Sequence, residues 1–294
     1  SNTIYTSFKV IKTKKEFLND CHIIIWTTTP WTIPVNRALA YSDKIKYSVI
    51  QVGKDNESFK DRNIVIASEL INKVAEECNF KKFKIIKEFN GLEFKNTICS
   101  HPLKAMGYDH DVPMLEADFV TLEQGTGIVH AAPSHGPDDF NLCLKNGIKA
   151  SNTINDGGLY SDEVPFFSGV HIFKADTQVI EKLLEHKSLL GKNKLQHSFP
   201  HSWRSKAPLV YRATSQWFIS MEMKNLRKKA LKAIDDTIFY PERGRARIRS
   251  MIETRPDWCI SRQRIWGVPL PLFVSKKTKE PLKDPDVIEN IAKI

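Results

Sequence analysis

His22-Ile-Ile-Ile-Trp-Thr-Thr-Thr-Pro-Trp-Thr-Ile-Pro34 runs from an unbroken apolar stretch of strand length into three consecutive hydroxyls and two prolines. The apolar half reads as a buried strand, and Pro30 and Pro34 stop it. Such a strand end can leave Thr27, Thr28 and Thr29, flanked by Trp26 and Trp31, with hydroxyls and backbone N–H groups facing a ligand. Hydroxyls donate and accept, so they suit ribose oxygens and an ester carbonyl, while an indole can stack on a base or wall an acyl pocket. Threonine also fits a pleated surface for its own sake, and that plainer reading stays open on these residues alone.

Outward from this strand, Lys44 to Val52 alternates and Gly53-Lys-Asp-Asn forms a turn. Ser68 is placed to cap a helix whose apolar face is Ile71, Val74, Ala75 and Cys78. Beta-like segments follow at Phe83–Phe89, Leu92–Ile98 and Asp118–Leu122, and Thr126–Ala132 is a compact strand ending at Pro133. A helix is expected from Pro137, a good first helical residue, to a stop at Gly147. Asp176 is the expected cap of another helix, Thr177 to Leu190. Beyond Pro200, Ser215 to Ile234 reads as a long amphipathic helix with Trp217, Phe218, Met221, Ala230 and Ile234 on its apolar side. Arg243 to Glu253 reads as a second helix, although its alternation also fits a strand.

The other informative stretch is Gly125-Thr-Gly-Ile-Val-His-Ala-Ala-Pro-Ser-His-Gly-Pro-Asp-Asp139. Asp138 and Asp139 fall in the first helical turn, where the macrodipole favours acids. One acid serves that purpose; the second, turned into a pocket and kept ionised by the dipole, would receive an ammonium group. His130 and His135 have metal-capable spacing, but Pro133 and Gly136 break any helix between them, so an H-E-x-x-H arrangement is excluded. Each imidazole could instead polarise water or bond a leaving hydroxyl, and His130, inside a strand, could equally be a satisfied core residue. Ser134 lacks the G-x-S-x-G context of a nucleophile elbow. A metal-dependent phosphoesterase built on the His/Asp cluster is a competing reading.

The 294 residues, 41% of them hydrophobic, suffice for one large or two modest cores. No apolar run reaches the roughly 20 residues of a bilayer span, and no signal-peptide pattern opens the chain. Ser1-Asn2 reads as an expression scar on an excised fragment. Five scattered cysteines without a C-x-x-C pair point away from a disulfide framework or zinc knuckle and toward a reducing compartment. Residues 1–200 hold 24 Lys+Arg against 24 Asp+Glu, whereas residues 201–266 hold 15 against 6. Nearly all of the net +10 thus falls in one block, which suits a polyphosphate partner such as RNA.

Both signature stretches, the first extended to Asn36, resemble those of the isoleucyl-tRNA synthetase editing domains. Gln196-His-Ser-Phe-Pro-His-Ser-Trp-Arg204, Pro208-Leu-Val-Tyr-Arg-Ala-Thr214, Gln216-Trp-Phe218 and Arg255-Pro-Asp-Trp-Cys-Ile-Ser-Arg-Gln-Arg-Ile-Trp-Gly-Val-Pro269 extend the likeness along nearly the whole chain. Pro-Trp-Thr after the threonines singles out the isoleucyl branch, and His-Ala-Ala-Pro-Ser-His-Gly is closest to bacterial and organellar forms. The resemblance implies an α/β fold: a compact, β-barrel-like editing domain over residues 1–205 with peripheral helices, then a basic helical extension over 206–294. Neither His-x-Gly-His nor Lys-Met-Ser-Lys-Ser occurs. ATP and Mg are therefore expected only in an absent synthetic domain, with no cofactor or metal for editing.

The implied activity is hydrolysis of mischarged Val-tRNA(Ile), with valyl-adenylate a second candidate substrate. The alternative is a non-catalytic tRNA-docking module, inactive outside a full-length enzyme. One methylene distinguishes isoleucine from valine, worth only about 1–3 kcal/mol in any pocket, a general limit of which this pair is the usual example. The resemblance assigns Asp139 to the valyl ammonium and His130 to the wall that refuses isoleucine. Thr28 and Thr29 would hold the terminal ribose and carbonyl and orient water. Thr27, Trp31, Asn36 and His135 would complete the substrate contacts. A monomer without membrane association is expected, in bacterial cytoplasm or an organellar matrix or stroma.

Overall fold

The computed structural model describes residues 1–262, 267, 270, 272–278 and 280–293. They form two compact units, residues 1–213 and 214–294. The first contains ten strands: β1 (Asn2–Lys12), β2 (His22–Thr27), β3 (Ala38–Tyr41), β4 (Lys46–Val52), β5 (Asn63–Ala67), β6 (Phe83–Asn90), β7 (Ile98–Ser100), β8 (Asp111–Glu116), β9 (Val129–Ala131) and β10 (Leu189–Lys194). Its helices are α1 (Ile71–Glu77), α2 (Pro137–Lys145) and α3 (Ile172–Glu185). The pairing path is β6-β4-β5-β2-β1-β7-β8-β3-β9, with β10 added to β1.

β2 is central, antiparallel to β1 and parallel to β5. Ile23, Ile24 and Ile25 are all fully buried, as an uninterrupted apolar run requires when both faces are covered. β2 also lies against β9 although the two are far apart in the pairing order, so the sheet curls on itself. The mixed α/β expectation holds; among the described residues, however, β6 and β9 do not pair to close a barrel. Tyr47, Phe89 and Phe94 pack edge to face in the core, with centroids 4.9 and 5.1 Å apart at Phe94. The Tyr47 hydroxyl donates to the Gly127 carbonyl at 2.8 Å, fixing the loop before β9. Gly127 has φ +73°, and a Cβ there would lie 2.5 Å from that of Ala67, so the close approach needs glycine.

Several local expectations require correction. Ser68 does not cap α1: its hydroxyl pairs with that of Ser48 at 2.7 Å, satisfying a polar group buried in β4. Leu92–Ile98 divides into a 3-10 turn at Gly91–Phe94 and the start of β7, and Asp118–Leu122 is not a strand. α3 begins five residues before the expected first residue, Thr177, and is capped by His171, whose Nδ1 accepts the Phe173 N–H at 3.3 Å. It ends at Glu185 because residues from Leu189 onward are taken up as the strand beside β1. Asp176 is thus freed from capping.

Residues 206–213 pack with the first unit: the Leu209 N–H reaches the Pro200 carbonyl, the Ala213 N–H reaches Ser134, and Arg212 pairs with Asp156 at 2.8 Å.

The second unit contains β11 (Phe218–Ile219), α4 (Leu226–Asp235), α5 (Arg243–Glu253), β12 (Trp258–Cys259) and α6 (Pro285–Ala292). The expected helix from Ser215 to Ile234 starts only at Leu226. Phe218 and Ile219 instead pair with Cys259 and Trp258, and positive φ at Lys224 and Asn225 separates that ribbon from α4. α5 spans the expected residues. Arg227 donates to the carbonyls of Ile252, Glu253 and Arg255, complementing the negative end of α5. Within the Arg255–Pro269 motif, residues 263–266, 268 and 269 lie outside the described residues. No helix among the described residues is long and apolar enough to cross a membrane.

Candidate active site

β2 ends at Thr27, and Pro30–Val35 follows as a 3-10 turn because proline supplies the φ of a first helical residue. The Thr29 N–H donates to Thr27 Oγ1 at 3.1 Å, and the two hydroxyls also lie 3.1 Å apart. One 3-10 turn onward, Thr32 Oγ1 donates to the Thr29 carbonyl at 2.8 Å and sits 3.2 Å from Thr29 Oγ1. This clusters three hydroxyls at the strand end.

Across the sheet, β9 pairs with β3 and sets His130 opposite Leu39. His130 Nε2 lies 3.0 Å from Thr32 Oγ1, and its Nδ1 lies 3.5 Å from the Asn36 amide nitrogen. That nitrogen can only donate, so Nδ1 accepts and Nε2 carries the proton toward Thr32. The result is a polar chain from Asn36 through His130 and Thr32 to Thr29. His130 is only 8% exposed, and burial pushes its pKa down to about 4, leaving the ring neutral. A neutral imidazole with both nitrogens engaged is a fixed donor, not a general base.

Asp139, in the first turn of α2, accepts the Ala132 N–H on Oδ2 at 2.9 Å. It thereby ties α2 to the end of β9, two residues beyond His130. Its Oδ1 takes no hydrogen bond from the described residues. The dipole argument for an easily ionised acid needs correction: burial pushes the pKa up to about 6, the charge of Asp138 adds to this, and the Ala132 bond opposes it. The carboxylate still predominates at neutral pH, but it is held there at a cost.

Trp31 is buried; its N–H donates to Asp176 Oδ1 at 3.1 Å and its carbonyl accepts the Tyr160 hydroxyl. Its ring meets that of His135 edge-on, with centroids 5.0 Å apart. His135 Nδ1 donates to the Tyr211 carbonyl at 2.9 Å, so Nε2 accepts the Thr153 hydroxyl at 2.8 Å. Burial pushes this ring down to about 4 as well.

Thr29, Trp31, Thr32 and His135 line a cavity of about 470 Å³, whose opposite wall includes Phe199, Leu209 and Val210. Of the expected residues, Thr27, Thr29, Asn36 and His130 belong to one hydrogen-bonded network. Trp31 and His135 border the cavity, whereas Asp139 bonds the Ala132 N–H and no member of that network. Thr28 is half-buried with no side-chain hydrogen bond among the described residues, and neither it nor Asp139 lines that cavity. Thr32 was not singled out from sequence, although its spacing of three from Thr29, on a proline-initiated turn, is the available signal. Asp176 and the apolar wall carry no comparable local signal.

The model of the tRNA synthetases class I (I, L, M and V) matches residues 1–294. The chain is 63% identical over 294 residues to an isoleucine--tRNA ligase of Pelagibacter ubique, covering 100% of the chain and 32% of that protein. It is 45% identical over 308 residues to that of Gluconobacter oxydans, covering 99% and 32%. The chain therefore spans about a third of the length of these curated relatives. The crystal structure of GlLeuRS-CP1 superimposes with a TM-score of 0.51 at 14% identity, covering 66% of this chain and all of that one, a likeness of fold. With the match running over its full length, this chain belongs to the class I tRNA synthetases.

Proposed function

We propose that the first unit is a proofreading hydrolase that cleaves the ester of valine mischarged onto tRNA(Ile), with valyl-adenylate as a second substrate. The observation that carries this reading is the Asn36–His130–Thr32–Thr29 network, which holds neutral hydroxyls in fixed directions beside a cavity. Water attacks the ester carbon, the bond to the ribose oxygen breaks, and the proton lost by water passes to that oxygen. An activated ester needs no protein nucleophile, since orientation alone supplies much of the acceleration. Thr29 orients water and carbonyl, Thr28 contacts the ribose, and Thr27 holds Thr29. His130 positions Thr32 and limits the side-chain pocket. Asp139, through its open Oδ1, receives the α-ammonium. Trp31, Asn36 and His135 shape the surroundings.

The partner on this reading is tRNA. Exposed Lys228, Lys229 and Lys232 on α4, and Arg243 and Arg247 on α5, support an RNA contact by the second unit. Single-turnover deacylation of Val-tRNA(Ile) and Ile-tRNA(Ile) tests the proposal. The chain should release valine and spare isoleucine, His130→Ala should lose that discrimination, and Thr29→Val should slow valine release at least tenfold. Absence of hydrolysis by the wild-type chain, with tRNA binding intact, would favour a docking module instead.

A further inference from the structure

β1 and β2 lead away from the threonine cluster to a second cavity, of about 450 Å³. Ile4 pairs with Thr27 at one end of the two strands and Lys9 with His22 at the other, about 17 Å away at the rise of a strand. Lys9, Arg62, Lys104 and Lys187 line this hollow together with the hydroxyls of Ser100 and Ser188, and its lining includes no Asp or Glu. Residues 1–200 carry balanced charge, so four cations around one hollow are a segregated feature.

The arrangement is built rather than incidental. Arg62 lies over the Phe59 ring, 5.1 Å from its centroid, and donates from Nη1 to the Lys187 carbonyl at 3.0 Å. Both contacts fix the guanidinium without neutralising it. Among the described residues, Arg62, Lys104 and Lys187 have no carboxylate within ion-pair distance, and Lys9 has only an exposed contact to Asp20 at 3.1 Å. Exposed pairs of that kind contribute little. His22, also on the lining, has a buried Nδ1 with no hydrogen-bond partner. Burial and the charges of Arg62 and Lys9 push its pKa down to about 4, so the ring stays neutral in a positive field. A buried ring nitrogen without a partner, beside unneutralised cations, is a polar atom that a bound ligand would satisfy.

We propose that this cavity binds a phosphate group, as a phosphate monoester or as the phosphodiester of an RNA strand. A fixed guanidinium matches two phosphate oxygens at once, and the lysines balance multiple charge. A lone carboxylate would leave most of this charge uncompensated. The site is separate from the ester-cleaving network and does not depend on that reading.

Titration calorimetry with the intact chain, using inorganic phosphate, AMP and a short single-stranded oligoribonucleotide as probes, tests the site. Lys104→Ala and Arg62→Ala/Lys187→Ala should each weaken the bound probe at least tenfold, while Thr29→Val leaves it unchanged. Lys104→Ala keeps the test valid if the double variant fails to fold, because the Lys104 side chain holds no other group among the described residues. Loss confined to phosphate and AMP identifies a free phosphate ester as the ligand, and loss confined to the oligonucleotide identifies an RNA backbone. Equal affinity of Lys104→Ala and wild type for all three probes, or no binding of any probe by wild type, overturns the proposal.

Discussion

Asp139→Asn should stabilise the first unit at neutral pH while leaving its acid stability unchanged. Asparagine keeps an oxygen able to accept the Ala132 N–H but cannot ionise. In the folded chain the Asp139 carboxyl titrates at about 6 instead of 3.8, because burial disfavours its charge. That displacement corresponds to on the order of 3 kcal/mol when the group is fully ionised, and partial exposure of the side chain makes about 1–3 kcal/mol the working range. The sign follows from the folded state holding this proton more tightly than the unfolded state. The stabilisation is fully present below 3.8 and is lost as pH rises through about 6. The variant escapes that loss. Its advantage should be near zero at about pH 4 and greatest above about pH 7, at about 2–4 °C in Tm per kcal/mol for a unit of this size. Differential scanning calorimetry of both proteins across this range provides the measurement. A variant that follows wild type at every pH, or gains most in acid, refutes the reasoning. Valyl-tRNA deacylation by the same variant should fall, since a neutral amide cannot hold the substrate ammonium as an ion pair.

Thr32→Val removes the acceptor facing His130 Nε2 and the donor to the Thr29 carbonyl; denaturant unfolding should show a loss of about 1–3 kcal/mol, and deacylation should slow at least tenfold. Gly127→Ala forces a side chain into a left-handed backbone and against Ala67, so thermal unfolding should reveal a cost of about 1–3 kcal/mol or more. Arg243→Ala and Arg247→Ala should each weaken RNA binding and lower its logarithmic salt slope by about 1, with unchanged Tm. Arg249 is engaged with Asp235 and Glu253, so its replacement should lower the salt slope less.

Local patterns made much of the first unit legible. The apolar run in β2, the Pro137 start and Gly147 stop around α2, and the apolar spacing in α1 are all short-range signals, and each element lies where they put it. α5 also forms over Arg243–Glu253. The errors fall where distant partners override propensity. Phe218 has helix-compatible spacing but finds Cys259 forty-one residues later. Asp176 looks like a cap because aspartate favours caps, yet its carboxylate is claimed by Trp31, 145 residues away in sequence.

By itself, the chain's order of residues determined the central strand, the proline-framed threonine turn, the acid pair at the start of α2, the basic bias of the C-terminal block and the family resemblance. These depend on steric, capping and compositional rules that act over a few residues. Only the tertiary structure decided that Thr32 and His130, 98 residues apart, share a hydrogen bond, because β3 must pair with β9 before they can meet. It also decided that Asp139 would be difficult to ionise, since desolvation is a property of the surrounding packing and not of helix position. The four cations around the second cavity are likewise scattered from residue 9 to residue 187 and converge only after the sheet has curled.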